Sequence, residues 1–259
     1  MISHLVSTRL RRCMAFGLVA VFCVSLLTVP APAVWAADDN EAIALSMATL
    51  LRSARAVISN KQKHINDASV GDKGVTAEYV VEQAKANYKK ATDIDFDSID
   101  PASLQGRLLA AEMEAIAEVV DEAQDNINQE GVGLKGFLPA VFARLVTKRF
   151  GAKMGEIADI KLTAPKKYVR NRANRPDKWE HEIIETVLSA PDHETGQHVM
   201  AMTEKKGRPA FRLILPEYYK ESCLACHGEP KGERDITGGK KEGGVLGELG
   251  GAISVTIFQ

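Results

Sequence analysis

The residues best equipped for chemistry in this 259-residue chain form one pentapeptide, Cys223-Leu224-Ala225-Cys226-His227. Two thiols three residues apart lie on one side of a helical turn, and an imidazole follows at once. That spacing is the one for c-type haem attachment. Each thiol bonds to one vinyl group of the porphyrin, and His227 turns its ring under the iron as the axial metal ligand. Three other readings of the thiols stand beside it. A thioredoxin-like redox pair wants a βαβ setting and no obligatory following histidine. A zinc site wants four closed ligands of the Cys/His type, so a distant fourth would have to join. A structural disulfide across so short a loop is the rarest of the four. The expectation is one haem c (heme c) per chain.

The N-terminus agrees with that chemistry through compartment. Arg9, Arg11 and Arg12 precede an apolar run over 14–29, then Pro30, Pro32 and the small-residue site Val34-Trp35-Ala36. A basic start, an apolar middle and such a site describe a secretory signal peptide over residues 1–36. The run is short of the ~20 apolar residues a spanning helix needs, and Phe22 before Cys23 is too bulky for a lipoprotein-type site. Cleavage after Ala36 leaves 30 Lys+Arg against 34 Asp+Glu, a formal charge of −4. Cys13 and Cys23 leave with the signal, so Cys223 and Cys226 are the only thiols of the exported, periplasmic chain. Haem attachment at both would leave none for a disulfide, although an oxidising compartment permits one.

The mildly acidic remainder is long enough to bury a core. It has no basic stripe and no aromatic platform, so nucleic acid is not an expected partner. The glycine-rich stretch over 228–251 lacks a following Lys-Ser/Thr, which rules out a P-loop. No Ser-His-Asp set or paired carboxylates stand out.

Positioning this motif falls to two unlike halves. Apolar residues recur at three- and four-residue steps from Asn40 to Ile65, predicting a helix. Thr76 is expected to cap a second helix running to about Lys90, with Val75 and Val80 as its hydrophobic staple. Asp100-Pro101 reads as cap and first residue of a long third helix reaching Ile127. A shorter one covers Ala140 to Phe150, led by Pro139. The period then changes. Residues 160–163 alternate as a strand, 177–188 read as a helix, and 198–203 with 209–215 read as a hairpin around a longer turn at Lys205-Lys206-Gly207-Arg208. A last strand covers 252–258. Strands with helices to one side, after a helical lead, predict an α+β fold, with a helical region over 37–133 and a second domain over 134–259.

The second half also carries an ordered set of motifs. Arg170-Asn171, Asn174, Pro176-Asp177, Trp179-Glu180, Phe211-Arg212, Cys223-Leu224-Ala225-Cys226-His227-Gly228 and Gly251-Ala252-Ile253-Ser254-Val255 occur in that sequence order. From about Leu134 to Gln259 this resembles the Tll0287-like family (DUF3365), bacterial haem c domains with a PAS-like fold. The helical lead looks like the N-terminal part of that family's sensor members. The resemblance implies a mostly antiparallel PAS-like sheet holding one haem, with Cys223 and Cys226 covalent and His227 axial.

In some members a cysteine just before the helix start supplies the other axial ligand. The comparable stretch here, Gly133 to Pro139, has none; Met154 is the first substitute, ahead of His64, Met113, Met47 or water. His181, His193 and His198 are weaker candidates still. Arg170, Arg172, Arg175 and Arg212 offer guanidinium forks that suit haem propionates. The alternative is that Arg170, Asn171 and Asn174 simply tie a loop together.

Two functions follow as expectations: a haem sensor responding to redox state or a diatomic gas and reporting to a membrane partner, or a soluble electron carrier between periplasmic redox proteins. Several family members precede kinase or chemoreceptor modules; this chain ends after its last strand, which speaks for the carrier. Catalysis is not expected, peroxidase-type activity being the remaining reading. The N-terminal helices are the expected surface for a homodimer.

Overall fold

The computed structural model describes residues 34–259, with side chains from Asp39 on. The expected signal segment therefore lies almost wholly outside the described residues. Helix α1 (Val34–Ile65) is followed by α2 (Ala77–Thr92), α3 (Leu104–Glu122), the short α4 (Gln124–Ile127) and α5 (Pro139–Met154). By length and composition α1 is apolar enough to cross a membrane, but most of that stretch is buried within the protein. Thr76 caps α2 by accepting from the Tyr79 N–H at 3.2 Å, with Val75 and Val80 both buried beneath it. The cap of α3 is a correction. Asp100 accepts from the Ala102 N–H and closes its own turn. Ser103 takes the cap instead, accepting from the Gly106 N–H at 2.9 Å.

The second half forms one four-stranded antiparallel sheet in the order β1-β4-β3-β2, from β1 (Ala158–Thr163), β2 (Val199–Lys205), β3 (Arg208–Tyr218) and β4 (Leu249–Phe258). The hairpin between β2 and β3 is tighter than its sequence suggests. Lys205 pairs with Arg208, and Lys206 and Gly207 both have positive φ. That is a two-residue turn whose twist matches the strands. The expected helix over 177–188 is split into α6 (Lys178–Ile183) and a π-helical turn over Ile184–Leu188. Ser189 drives the change by donating both its N–H and its hydroxyl to Ile184 O, five residues back.

Strand alternation sends the sheet's side chains to two layers. Ile160, Leu162, Phe211, Leu213, Leu215, Ile253, Val255 and Ile257 point into the same core as Met47, Leu51, Ile58, Phe142 and Phe150. The other face carries Ile214 and Ala252, which pack with Ile184, Leu188 and Leu249. The helical half and the sheet thus share one hydrophobic core. Ion pairs reinforce the junction: Arg52 and Arg55 of α1 both hold Glu217 near the end of β3, and His198 reaches Glu41. Burial alone would raise the Glu217 carboxyl, but the charges of Arg55 and Arg52 prevail and hold it below the usual range.

One member of the helical core is out of character. Glu112 on α3 is fully buried, and neither carboxyl oxygen has a hydrogen-bond partner. Desolvation pushes its carboxyl well above the ordinary 4.5, so the folded protein holds the proton that the unfolded chain releases. The contribution to stability is complete below 4.5 and declines as pH rises, by roughly 1 kcal/mol per pH unit until the raised value is passed. Glu112→Leu should remove that decline. Urea unfolding of both proteins from pH 4 to pH 8 checks it, and parallel profiles would contradict the assignment.

Candidate functional site

The end of β3 leads directly into helix α7 (Glu221–His227), which carries both cysteines and the histidine. Cys223 and Cys226 are free thiols, each half-buried. Burial pushes the Cys226 thiol up, helped by Asp235 and Glu242 and opposed by Arg170. His227 places Nδ1 2.9 Å from Glu242 Oε2. With its proton on that nitrogen, the ring keeps a free lone pair on Nε2, the arrangement second-shell carboxylates impose on metal-binding histidines. Tyr219 stacks on the imidazole, centroids 5.4 Å apart and planes 21° from parallel.

Tyr219 fits only because two glycines flank it. A Cβ at Gly244 or at Gly250 would lie 2.4 Å from its ring carbons. The Tyr168 ring closes the cluster edge-on at 5.6 Å, and its hydroxyl donates to Glu248. The Tyr219 hydroxyl is buried and has no partner.

The glycine-rich segment over 228–248 is laid along α7 by main-chain bonds. Gly244 N–H donates to His227 O, Gly243 N–H to Gly228 O, and Gly247 N–H to Tyr219 O. Arg170 fastens it further. Its guanidinium donates to both carboxylate oxygens of Glu242, to Asp235, to Lys240 O at 3.0 Å and to Cys226 O at 2.6 Å. Burial would lower the Arg170 pKa, but its bonds to Glu242 and Asp235 raise it on balance. Val245 and Leu246 of the same segment stay exposed beside the motif, at 54% and 61%.

This donor set suits a haem. The thiols are unpaired, the Nδ1 contact leaves His227 Nε2 free, Val245 and Leu246 are exposed in the segment bonded to the motif, and the buried Tyr219 hydroxyl has no partner. The other thiol chemistries fare worse. The sheet is antiparallel throughout, so no βαβ unit frames the cysteines among the described residues. Nor do three or more His, Cys, Asp or Glu among those residues gather as a metal site.

The family model described as Tll0287-like matches residues 36–257. The chain belongs to the Tll0287-like family. The match takes in the helical lead as well as the sheet, as the shared core would require. Family membership is compatible with a haem-type domain. No curated protein and no solved structure matches the chain.

Within this Tll0287-like chain the expected site residues scatter more than their order suggests. Arg170 reaches the motif, but its donors go to protein oxygens. Asn171 accepts from the Ala173 N–H and caps a single helical turn, and Asn174 O accepts from Thr163. Arg212 is buried on the α6 face of the sheet, paired with Asp177 and Glu180 and lying over Trp179 at 4.4 Å. Asp177 and Glu180 also form a capping box. Met154 lies away from the level of the motif along the sheet. It ends α5 just before β1, whose Ala158 pairs with Ile257, whereas the motif follows Tyr218, which pairs with Leu249. The strand between those levels spans about 27 Å at ~3.4 Å per residue. His64 bonds Lys73 O, His198 bonds Glu41, and Met47 is core. Lys135 of the Gly133 to Pro139 stretch is also committed, donating to Gln129 O.

Glu242 and Asp235 were missed as site residues, hidden by glycine-rich composition, whereas the place of Tyr219 just before the motif already marked it. Asp235 accepts from Thr237 and Gly239 as well as Arg170. Burial would raise its carboxyl, but the Thr237 hydroxyl and Arg170 pull it from 3.8 to about 2. Its stabilising contribution is therefore present above 3.8 and lost as pH falls toward 2. Asp235→Asn should reduce stability at pH 7 by on the order of 2 kcal/mol, and the gap should close in acid melts between pH 4 and pH 2.

Proposed function

We propose that this protein is an exported, periplasmic haem c protein that responds to redox state or to a diatomic gas. In this reading Cys223 and Cys226 hold the haem as thioethers, each S–H adding across one vinyl double bond without net oxidation. His227 supplies the proximal nitrogen, and the sheet is the PAS-like support. The observation that carries the reading is the pair of free thiols on one helical turn beside an imidazole whose Nδ1 is occupied by Glu242. Nothing else in the described fold offers the same donors.

When bound, haem supplies one-electron chemistry and an iron position for a small ligand. The chain's own residues do the rest. Tyr219 and Glu242 fix the plane and tautomer of His227. The strip at Val245 and Leu246 shields an apolar macrocycle from water. Arg170 holds the covering segment in place, which is why its donors face the loop. A haem propionate has the unpaired Tyr219 hydroxyl as a natural donor.

Response is preferred to simple carriage because of how α1 meets the site. Glu217, gripped by Arg52 and Arg55, lies two residues before Tyr219, which stacks on His227. A change at the iron therefore has a short mechanical route to the longest helix. Binding moves the protein only if two conformations differ in affinity for the ligand, and this ion-paired junction is where they would differ.

Intact mass of protein exported by a strain with cytochrome c maturation should show one added haem, lost in the Cys223→Ala/Cys226→Ala double variant. Bare thiols or bound zinc in the mature chain would overturn the reading. Carbon monoxide should then bind the reduced protein and change hydrogen exchange in α1 around Arg52 and Arg55. A closed six-coordinate iron, silent toward gas and exchanging electrons rapidly with a periplasmic cytochrome, would favour the electron carrier.

A further inference from the structure

Glu242 does more in this geometry than hold a loop. Its side chain is 12% exposed, and Oε2 is shared between His227 Nδ1 at 2.9 Å and Arg170 at 3.0 Å. Oε1 takes the Arg170 Nε–H, so the fork fixes both oxygens and the carboxylate cannot swing away. Arg170 is itself tied to Cys226 O, one residue before the histidine. The contact is thus braced from the motif's own backbone. A carboxylate accepting from Nδ1–H pushes electron density across the ring toward Nε2 and makes it a stronger donor. A main-chain carbonyl or water in that place pushes less, because a charged acceptor makes a hydrogen bond roughly twice as strong.

We infer that Glu242 is a positioning residue that sets the donor strength of His227, and with it a low reduction potential at the bound iron. Arg170 moderates the effect by drawing on the same two oxygens. The inference rests on haem attachment at Cys223 and Cys226. It adds that the glycine-rich segment, otherwise a cover, carries the electronic control of the site. Enriching the proximal nitrogen stabilises the oxidised iron over the reduced one and lowers the potential.

The test measures haem content, melting temperature and reduction potential for wild type, Glu242→Gln and Glu242→Asp, all as matured holoproteins. Glu242→Gln should raise the potential by about 59 mV, a tenfold change in the one-electron equilibrium. Glu242→Asp keeps the charge but withdraws the acceptor, so its potential should move most of the way toward that of Glu242→Gln. If Glu242→Asp instead matches wild type while Glu242→Gln rises, the effect is one of charge alone and the inference falls. Equal potentials in all three overturn it as well. Where a variant fails to mature, ¹⁵N NMR of the wild-type His227 ring decides: a strongly donated Nδ1 proton supports the inference, and an ordinary neutral-imidazole signature refutes it. A wild-type chain that takes up no haem overturns the haem reading itself, a result distinct from a loaded protein with an unresponsive potential.

Discussion

The guanidinium of Arg170 joins pieces of chain that have little other reason to stay together. Residues 228–248 contribute few apolar side chains to either core, so hydrophobic burial cannot hold them against α7. What holds them is a set of main-chain bonds and one cation received by Asp235, Glu242, Lys240 O and Cys226 O. Asp235 has no exposed side-chain surface. Removing the arginine would leave that carboxylate buried without its cation, a far larger penalty than the net value of an exposed pair. Arginine suits the position better than lysine because five fixed donors can meet several acceptors at once. The stacking of Tyr219 on His227 depends on the same fastening, since the slot for its ring is closed by Gly244 on one side and Gly250 on the other.

Beyond the site, the helices and the sheet are built around one hydrophobic cluster. Apolar residues of α1, α2, α3 and α5 and of three strands belong to a single cluster, so the helical half has no separate core to unfold around. This is why a family match beginning at residue 36 makes physical sense. A sheet with one face covered by helices and the other by α6 and its π turn needs both layers for its alternating side chains to be buried.

Much of this was legible in the sequence, and the reasons differ by element. Periodic apolar residues located α1 to α3, and Thr76 announced its cap, because those signals are local. The pentapeptide pointed to the thiols and the imidazole of α7 because five consecutive residues already contain their spacing. The turn at Lys206-Gly207 was misjudged because a lysine in the left-handed region carries no compositional mark, while the glycine beside it does. Residue type singles out Met154, but how far a side chain lies from the motif is a property of strand register, which no single residue reveals. Glu242 and Asp235 could not be picked out from the charged residues around them, since their roles come from a contact with Arg170 across 72 and 65 positions of chain.

If the protein responds as proposed, the joint between the site and α1 is where the response would pass. A close-packed core has few alternative arrangements and resists small displacements. Ion pairs at a partly exposed edge are different, because water can replace either partner at modest cost. Arg52 is 41% exposed and Glu217 17%, so the grip of α1 on the end of β3 sits between these regimes. On the proposed reading, it would be firm enough to register a shift in Tyr219 two residues along, and wet enough to be released. A rearrangement starting at His227 would therefore leave the cluster beneath the sheet intact and appear first as a change in how α1 is held.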